Sequence, residues 1–204
     1  MGWILFLLGC AGAYLLGAMP TAYLLGKWKK GIDIRDHGSG NVGATNAFRV
    51  MGKLPGIVVL GVDIGKGVLS VTVLSALIQP ISPLQLDWLT AILGTLAIAG
   101  HIWTPFLKFQ GGKGVATSLG VFLCLDPYST LAATASWVIT LFLFRYVSVS
   151  SMVGAIVLPL VMAFWMRPFP WILGSSLVCL AICYKHKPNI QRLLVGSEKK
   201  IGKP

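Results

Sequence analysis

Seven apolar runs separated by short polar connections decide what this chain can fold into. They cover residues 3–25, 55–78, 88–107, 115–125, 128–144, 147–166 and 171–184. Crossing the hydrocarbon of a bilayer takes about 20 apolar residues as helix. Inside it every backbone polar group must find a partner within the fold. A water-soluble alternative lacks the charge to cover its surface: 11% of the chain is Asp, Glu, Lys or Arg, against about 25% in soluble domains. The first run is too long for the apolar part of a signal peptide and has no basic residue ahead of it, so it is read as a true span. Pro20 is its kink position. The fourth run holds only eleven residues before Asp126-Pro127, about 16 Å of helix and roughly half the hydrocarbon thickness. It crosses only if it starts deep in the membrane. The expectation is one all-α integral membrane domain over residues 1–204. It has seven transmembrane helices, a short fourth helix, the N-terminus outside and the C-terminus cytoplasmic.

Charge follows the same plan. Of 17 Lys and Arg residues, 15 fall in alternate connections or in the tail; Lys66 lies inside the second run and Arg167 in a connection of the opposite set. The rich connections are cytoplasmic by the positive-inside rule. That asymmetry accounts for the net charge of +11 without nucleic acid, for which no recognition motif appears. It also favours anionic lipid headgroups. Cys10, Cys124, Cys179 and Cys183 all lie in apolar runs, where a free thiol packs as a small hydrophobe. No disulfide framework or metal site is implied.

Against this greasy background three polar clusters stand out. The first is Gly38-Ser39-Gly40-Asn41-Val42-Gly43-Ala44-Thr45-Asn46-Ala47-Phe48-Arg49. Glycines bring backbone N–H groups close to a ligand, successive N–H groups make an anion-binding concavity, and arginine adds a forked donor. The pattern Gly38-x-Gly40-x-x-Gly43 is not a dinucleotide fingerprint, since it follows an apolar helix and a run of lysines instead of a strand. A solvated glycine loop between helices is the plain alternative. The second cluster, Gly111-Gly112-Lys113-Gly114-Val115-Ala116-Thr117-Ser118, opens the short fourth helix, whose free N–H groups and positive dipole end favour an anion. Its spacing is not that of a Walker loop. The third runs from His186 through Pro188, Asn189 and Arg192 to Glu198. Pro188 fits the first turn of a helix that places Asn189 and Arg192 on one face; alone it reads as an interfacial amphipathic helix.

Two smaller features accompany them. Asp63 and Lys66 are neighbours at i and i+3 and can neutralise each other inside a span. His101 sits near the end of the third run, and Ser148, Ser150 and Ser151 fall where they can cap the sixth helix. An anion transporter would need polar groups along both halves of a path, whereas the outer connections hold almost nothing chargeable.

Taken in order, Ser39 to Asn46 with Arg49, Gly111 to Thr117, and His186-x-x-Asn189-Ile-x-Arg192-Leu-Leu-x-Gly196-x-Glu198 resemble the three cytoplasmic motifs of the bacterial acyl-phosphate:glycerol-3-phosphate acyltransferases, the PlsY family. The resemblance also takes in Asp63-x-x-Lys66-Gly67, Gly100-His101 and Tyr146-Val-Ser148-x-x-Ser151. It implies a seven-helix enzyme of the bacterial inner membrane with its site on the cytoplasmic side. The enzyme moves a fatty acyl group from acyl phosphate to the sn-1 hydroxyl of glycerol 3-phosphate, giving lysophosphatidate and inorganic phosphate. No cofactor, metal, CoA or acyl carrier protein is implied. Ser39, Thr45, Asn46 and Arg49 are expected to hold the acyl-phosphate headgroup. The amides of Gly112 and Gly114, with Lys113, are expected to hold the acceptor phosphate. His186 and Asn189 would orient the acceptor hydroxyl, with either His186 or the departing phosphate taking its proton and no covalent acyl-enzyme. Gly40, Gly43, Gly111 and Gly112 are expected to allow close approach of ligand. Asn41, Lys66, Thr117, Ser148 and Ser151 join them as substrate-binding positions, and Asp63, His101, Arg192 and Glu198 give support.

Overall fold

In the computed structural model, which describes residues 2–202, all regular structure is helical. Helices α1 (Gly2–Ala18) and α2 (Thr21–Lys30) meet at Pro20 with a bend of 41°. Pro20 has no N–H to continue the ladder, so the expected single first span is a broken pair that runs five residues further than its apolar run. A 3-10 turn (Ile34–Asp36) and the short α3 (Ala44–Met51) lead to α4 (Lys53–Leu69). A π-helical turn, Ser70–Leu74, carries it on into α5 (Ser75–Ile78). The chain ends with α6 (Leu86–Ile102), α7 (Val115–Leu125), α8 (Pro127–Phe144), α9 (Val147–Phe164), α10 (Phe169–Lys185) and α11 (Lys187–Leu194). Four stretches are long and apolar enough to cross a membrane, and the α1–α2 pair makes a fifth. The apolar helices α7 and α10 are shorter.

Helix α6 is the axis: 61% of its apolar window is buried, against 22% for α8 on the periphery. Its grip on α1 is antiparallel and made through glycine. A Cβ on Gly17 would overlap the Ala97 carbonyl, and one on Gly100 the Tyr14 carbonyl. The same device joins α4 to α7, with Gly67 against the Thr117 carbonyl and Gly120 against that of Ile64. Lipid is as apolar as leucine, so helices in a bilayer gain by approaching closely through small residues. This second contact fixes the first turn of α7 beside Asp63 and Lys66.

At the end of the bundle where α2, α3 and α7 begin or end, a small separate core of Ala22, Ile34, Val42, Ala47, Met51, Val59 and Leu107 seats the connection between α2 and α4. The glycine-rich stretch is therefore a folded lobe with its own buried side chains. Helix α3 has no counterpart among the apolar runs. Its inward residues Asn46, Ala47 and Met51 are too short a set to show periodicity.

Candidate active site

Asn46 builds the first loop. It is 1% exposed; its Oδ1 accepts the Ser39 N–H at 2.8 Å, and its Nδ2 donates to the carbonyls of Ile34 at 3.3 Å and His37 at 3.0 Å. Both amide hydrogens are therefore engaged in shaping the loop, and Asn46 also borders the cavity described below. The Gly40 N–H goes to the His37 carbonyl and the Gly43 N–H to Asn41 Oδ1, at 3.1 and 2.9 Å. Gly40 lies outside the cavity, and its φ of +71°, unfavourable for a side chain, accounts for the glycine better than a close ligand does. The loop thus offers an anion not a nest of amides but what stands proud of it. These groups are the hydroxyls of Ser39 and Thr45, the Arg49 guanidinium, and the first turn of α3, whose leading N–H groups have no helical partner.

A second correction concerns the loop before α7. The N–H of Gly111 donates to the Ile102 carbonyl at 3.1 Å and that of Gly112 to the His101 carbonyl at 3.0 Å, closing the end of α6. A Cβ on Gly112 would overlap the His101 ring. Packing against α6, not ligand approach, demands glycine at both positions. Gly114, at φ +85°, turns the chain into α7 and leaves the amides of residues 115–117 open.

The tail closes the arrangement. Lys113 Nζ donates to Asn189 Oδ1, and Asn189 Nδ2 donates to Glu198 Oε1 at 2.6 Å. Ser148 donates to the same oxygen at 2.8 Å, and Arg192 Nε reaches Glu198 Oε2 at 2.7 Å. Glu198 is the hub on which α7, α9 and α11 meet. Burial pushes its carboxyl up, but the hydrogen bonds from Asn189, Arg192 and Ser148 outweigh this and hold it below its usual range. The expected capping of α9 by serines is corrected: Ser148 serves Glu198, Ser150 bonds back to the Tyr146 carbonyl, and Ser151 accepts from Trp137 Nε1 at 3.3 Å.

His186 stands at the joint of α10 and α11, 2% exposed. Its Nδ1 lies 2.8 Å from the Ile182 carbonyl. A carbonyl only accepts, so the proton sits on Nδ1 and Nε2 is left as an acceptor. Burial, then the Lys113 charge, pushes His186 down to about 4, so the ring is neutral at pH 7. Lys113 is lowered to about 8, first by burial and then, after the opposing pull of Glu198, by Arg192, Arg49 and Lys185. Four cations thus crowd a region with one carboxylate among the groups acting on Lys113.

These groups border one cavity of about 420 Å³. Its polar end is formed by the first turns of α3, α7 and α11, with Ser39, Asn41, Gly43, Thr45, Arg49, Lys113, Gly114, His186, Asn189 and Glu198. Ser148, Ser151, Asp63 and His101 also reach it. Beyond them the cavity continues as an apolar shaft between α7, α8, α9 and α10, past Phe122, Trp137, Leu158 and Val178. No motif announces the shaft, because its residues look like any lipid-facing helix. Of the three helix starts at the mouth, those of α3 and α7 offer open N–H groups and positive dipole ends to an anion. At α11, by contrast, Pro188 has no N–H and the Asn189 and Ile190 N–H groups go to the His186 carbonyl.

Lys66, Thr117, Gly111, Gly112 and Arg192 stand behind this surface. Thr117 is fully buried, and its hydroxyl finds no partner among the described residues. Lys66 is corrected from a substrate contact to a helix cap. The break at Pro20 takes the carbonyls at the end of α1 out of the helical ladder: that of Met19 accepts from Lys66 Nζ at 2.5 Å and from the Thr21 N–H at 3.0 Å, and that of Ala18 accepts from Thr104 at 2.6 Å. A cation there also meets the negative end of the helix dipole.

Comparison with known proteins agrees with this geometry. The profile of the family described as glycerol-3-phosphate acyltransferase matches residues 7–196. Glycerol-3-phosphate acyltransferase 2 of Moorella thermoacetica is 44% identical over 198 residues, covering 97% of this chain and 98% of that protein. The glycerol-3-phosphate acyltransferase of Parasynechococcus marenigrum is 45% identical over 196 residues, covering 96% and 90%. The crystal structure of PlsY, an integral membrane glycerol 3-phosphate acyltransferase, in its glycerol 3-phosphate form superposes with a TM-score of 0.88 at 34% identity, over 97% of this chain and 96% of that one. Its lysophosphatidic acid form gives 0.85 at 33% identity, over 97% and 95%. The chain therefore belongs to the glycerol-3-phosphate acyltransferase family of PlsY, integral membrane acyltransferases of phospholipid synthesis.

Proposed function

We propose that residues 1–204 form one membrane domain that transfers a fatty acyl group from acyl phosphate to the sn-1 hydroxyl of glycerol 3-phosphate. The products are lysophosphatidate and inorganic phosphate. The observation that carries this reading is the lining of the cavity: a mouth with the N-termini of α3 and α7, Arg49 and Lys113 is continuous with an apolar shaft. Such a mouth suits two phosphates, and such a shaft suits a hydrocarbon chain. The glycerol 3-phosphate and lysophosphatidic acid forms of the PlsY relative support acceptor and product of this kind.

In this reading Ser39, Thr45 and Arg49 hold the phosphate of the donor, while Lys113, Gly114 and the first turn of α7 hold that of the acceptor. Asn41 and Gly43 shape the donor side, Ser148 and Ser151 line the cavity between mouth and shaft, and Asp63, His101, Arg192 and Glu198 brace the walls. The acceptor hydroxyl oxygen attacks the acyl carbon. The ester C–O bond forms, the anhydride C–O bond breaks, and its electrons leave with phosphate. His186 Nε2 accepts the hydrogen bond that aligns the hydroxyl, beside Asn189. With the imidazole at about 4, departing phosphate, whose second ionisation in a monoester lies at about 6, is the stronger base and keeps the proton. A mixed anhydride needs alignment and charge stabilisation more than a protein nucleophile, so no acyl-enzyme forms.

The chain crosses the bacterial inner membrane seven times, counting α1–α2 as one span and the short α7 and α10 as one each. Its N-terminus is outside, and the basic mouth faces the cytoplasm. Purified protein in detergent should release lysophosphatidate and phosphate from acyl phosphate and glycerol 3-phosphate, and nothing when acyl-CoA or acyl carrier protein replaces the donor. Equal turnover with acyl-CoA sinks the donor assignment.

The Lys113 ammonium gives this reading a pH signature. Lowered to about 8, it loses its charge as pH rises through that value. The kcat/KM for glycerol 3-phosphate, which reports free enzyme, should fall above about pH 8. Lys113→Arg, charged throughout, should move the fall to higher pH. A profile unchanged by that substitution would remove Lys113 from acceptor binding.

A further inference from the structure

Every hydroxyl bordering the deep part of the shaft for which a partner is found is turned back onto its own helix. Ser118 bonds the Gly114 carbonyl at 2.8 Å, Thr130 that of Asp126 at 2.8 Å, and Ser175 that of Ile172 at 2.9 Å. The shaft therefore presents hydrocarbon despite these residue types. Its deepest course consists of Thr130 and Ala133 on α8, Leu158 on α9 and Ser175 on α10. One turn beyond Thr130, at the start of α8, lies a polar knot in which Asp126, 2% exposed, caps α8 through the Ser129 N–H and takes Arg167 Nε at 2.9 Å. A methyl end arriving there meets the wall of a salt bridge. Counted along α9 and α10 from Ser148 and His186, the course lies about 15 Å from the polar mouth. With about 1.3 Å per carbon for a zigzag of ordinary C–C bonds, this is the reach of an acyl chain of about a dozen carbons.

We propose that this shaft, ending against the polar knot, measures the acyl chain, and that Cys179 and Ser175, one turn apart on the same face of α10, are specificity-determining positions for donor length. Both border the cavity; counted along α10 from His186, Cys179 lies about two-thirds of the way to Ser175. The inference deepens the acyl-phosphate reading and rests on it for the identity of the donor. The test is kcat/KM of the purified protein across acyl phosphates graded from octanoyl to stearoyl. Cys179→Phe and Ser175→Leu each raise a floor at their own depth, so each should cut activity off beyond a characteristic length. Four residues of helix separate them by about 6 Å, and the two cut-offs should differ by about four to five carbons. Beyond each cut-off the loss should reach at least about tenfold for every two further carbons. The same cut-offs should appear in binding of lysophosphatidates of graded length, which needs no donor. If wild type turns over no acyl phosphate while those binding cut-offs hold, the donor assignment fails and the measure stands. Uniform loss at all lengths, or one and the same cut-off for the two variants, overturns the measure. So does a chain that escapes sideways past the lipid-exposed Val138, which would leave both variants without any cut-off.

Discussion

Lys113→Ala should fold normally and lose about two to three orders of magnitude in kcat/KM for glycerol 3-phosphate, the scale of truncating one partner of a buried, hydrogen-bonded charge pair. Nothing in the loop depends on the ammonium for its shape. Gly111 and Gly112 are tied to the end of α6 by their own N–H groups, and Gly114 makes the turn into α7. The side chain has one hydrogen-bond partner, Asn189, which Glu198 holds independently. Thermal unfolding in detergent should therefore move little while turnover collapses. Arg49→Ala, on the other side of the mouth, completes a thermodynamic cycle. If the two cations grip different phosphates, their losses should multiply; if they grip the same one, the double variant should lose clearly less than the product. Full turnover in Lys113→Ala would end its assigned role.

The way the chain folds decides how much of this could be read before the structure. Each of the seven apolar runs holds a helix, because bilayer solvent punishes open backbone so heavily that composition alone carries the signal. The three polar clusters were legible for the same reason: glycine, lysine and asparagine are conspicuous among leucines. What lay hidden are consequences of contact between distant segments. The amide of Gly112 looked available until the end of α6 was found to present the His101 carbonyl to it. That Asn46 also holds its loop together could not be read, because its partners are backbone carbonyls of Ile34 and His37, twelve and nine positions earlier. Glu198 looked peripheral because nothing in the tail says that Ser148, fifty positions earlier, would donate to it. The shaft left no trace at all, since a wall for an acyl chain and a wall for lipid ask for the same residues.

The Asp63–Lys66 pair was visible as a spacing, and its consequence should be the largest loss of stability that one substitution produces in this chain. Asp63→Ala should destabilise the folded protein by about 3–5 kcal/mol, the cost of leaving a buried charge without its partner. Lys66 Nζ lies 2.6 Å from Asp63 Oδ1, and both side chains are 2% exposed. Without the carboxylate, the ammonium keeps only the Met19 carbonyl, and Thr21 loses the oxygen it reaches at 3.3 Å. The double variant Asp63→Ala, Lys66→Met removes both charges together and should recover most of the loss, although the Met19 carbonyl then keeps only the Thr21 N–H. Thermal unfolding in detergent reads both effects. Activity separates the two roles the pair could have. Lys66 stands behind the cavity wall, so a folded double variant should keep far more turnover per molecule than Lys113→Ala. The alternative predicts the reverse pattern: were Lys66 to touch substrate, the double variant would be stable and as dead as Lys113→Ala. The break at Pro20 argues against that outcome, because a helix that stops inside a membrane needs something positive at its open end, and Lys66 already occupies it.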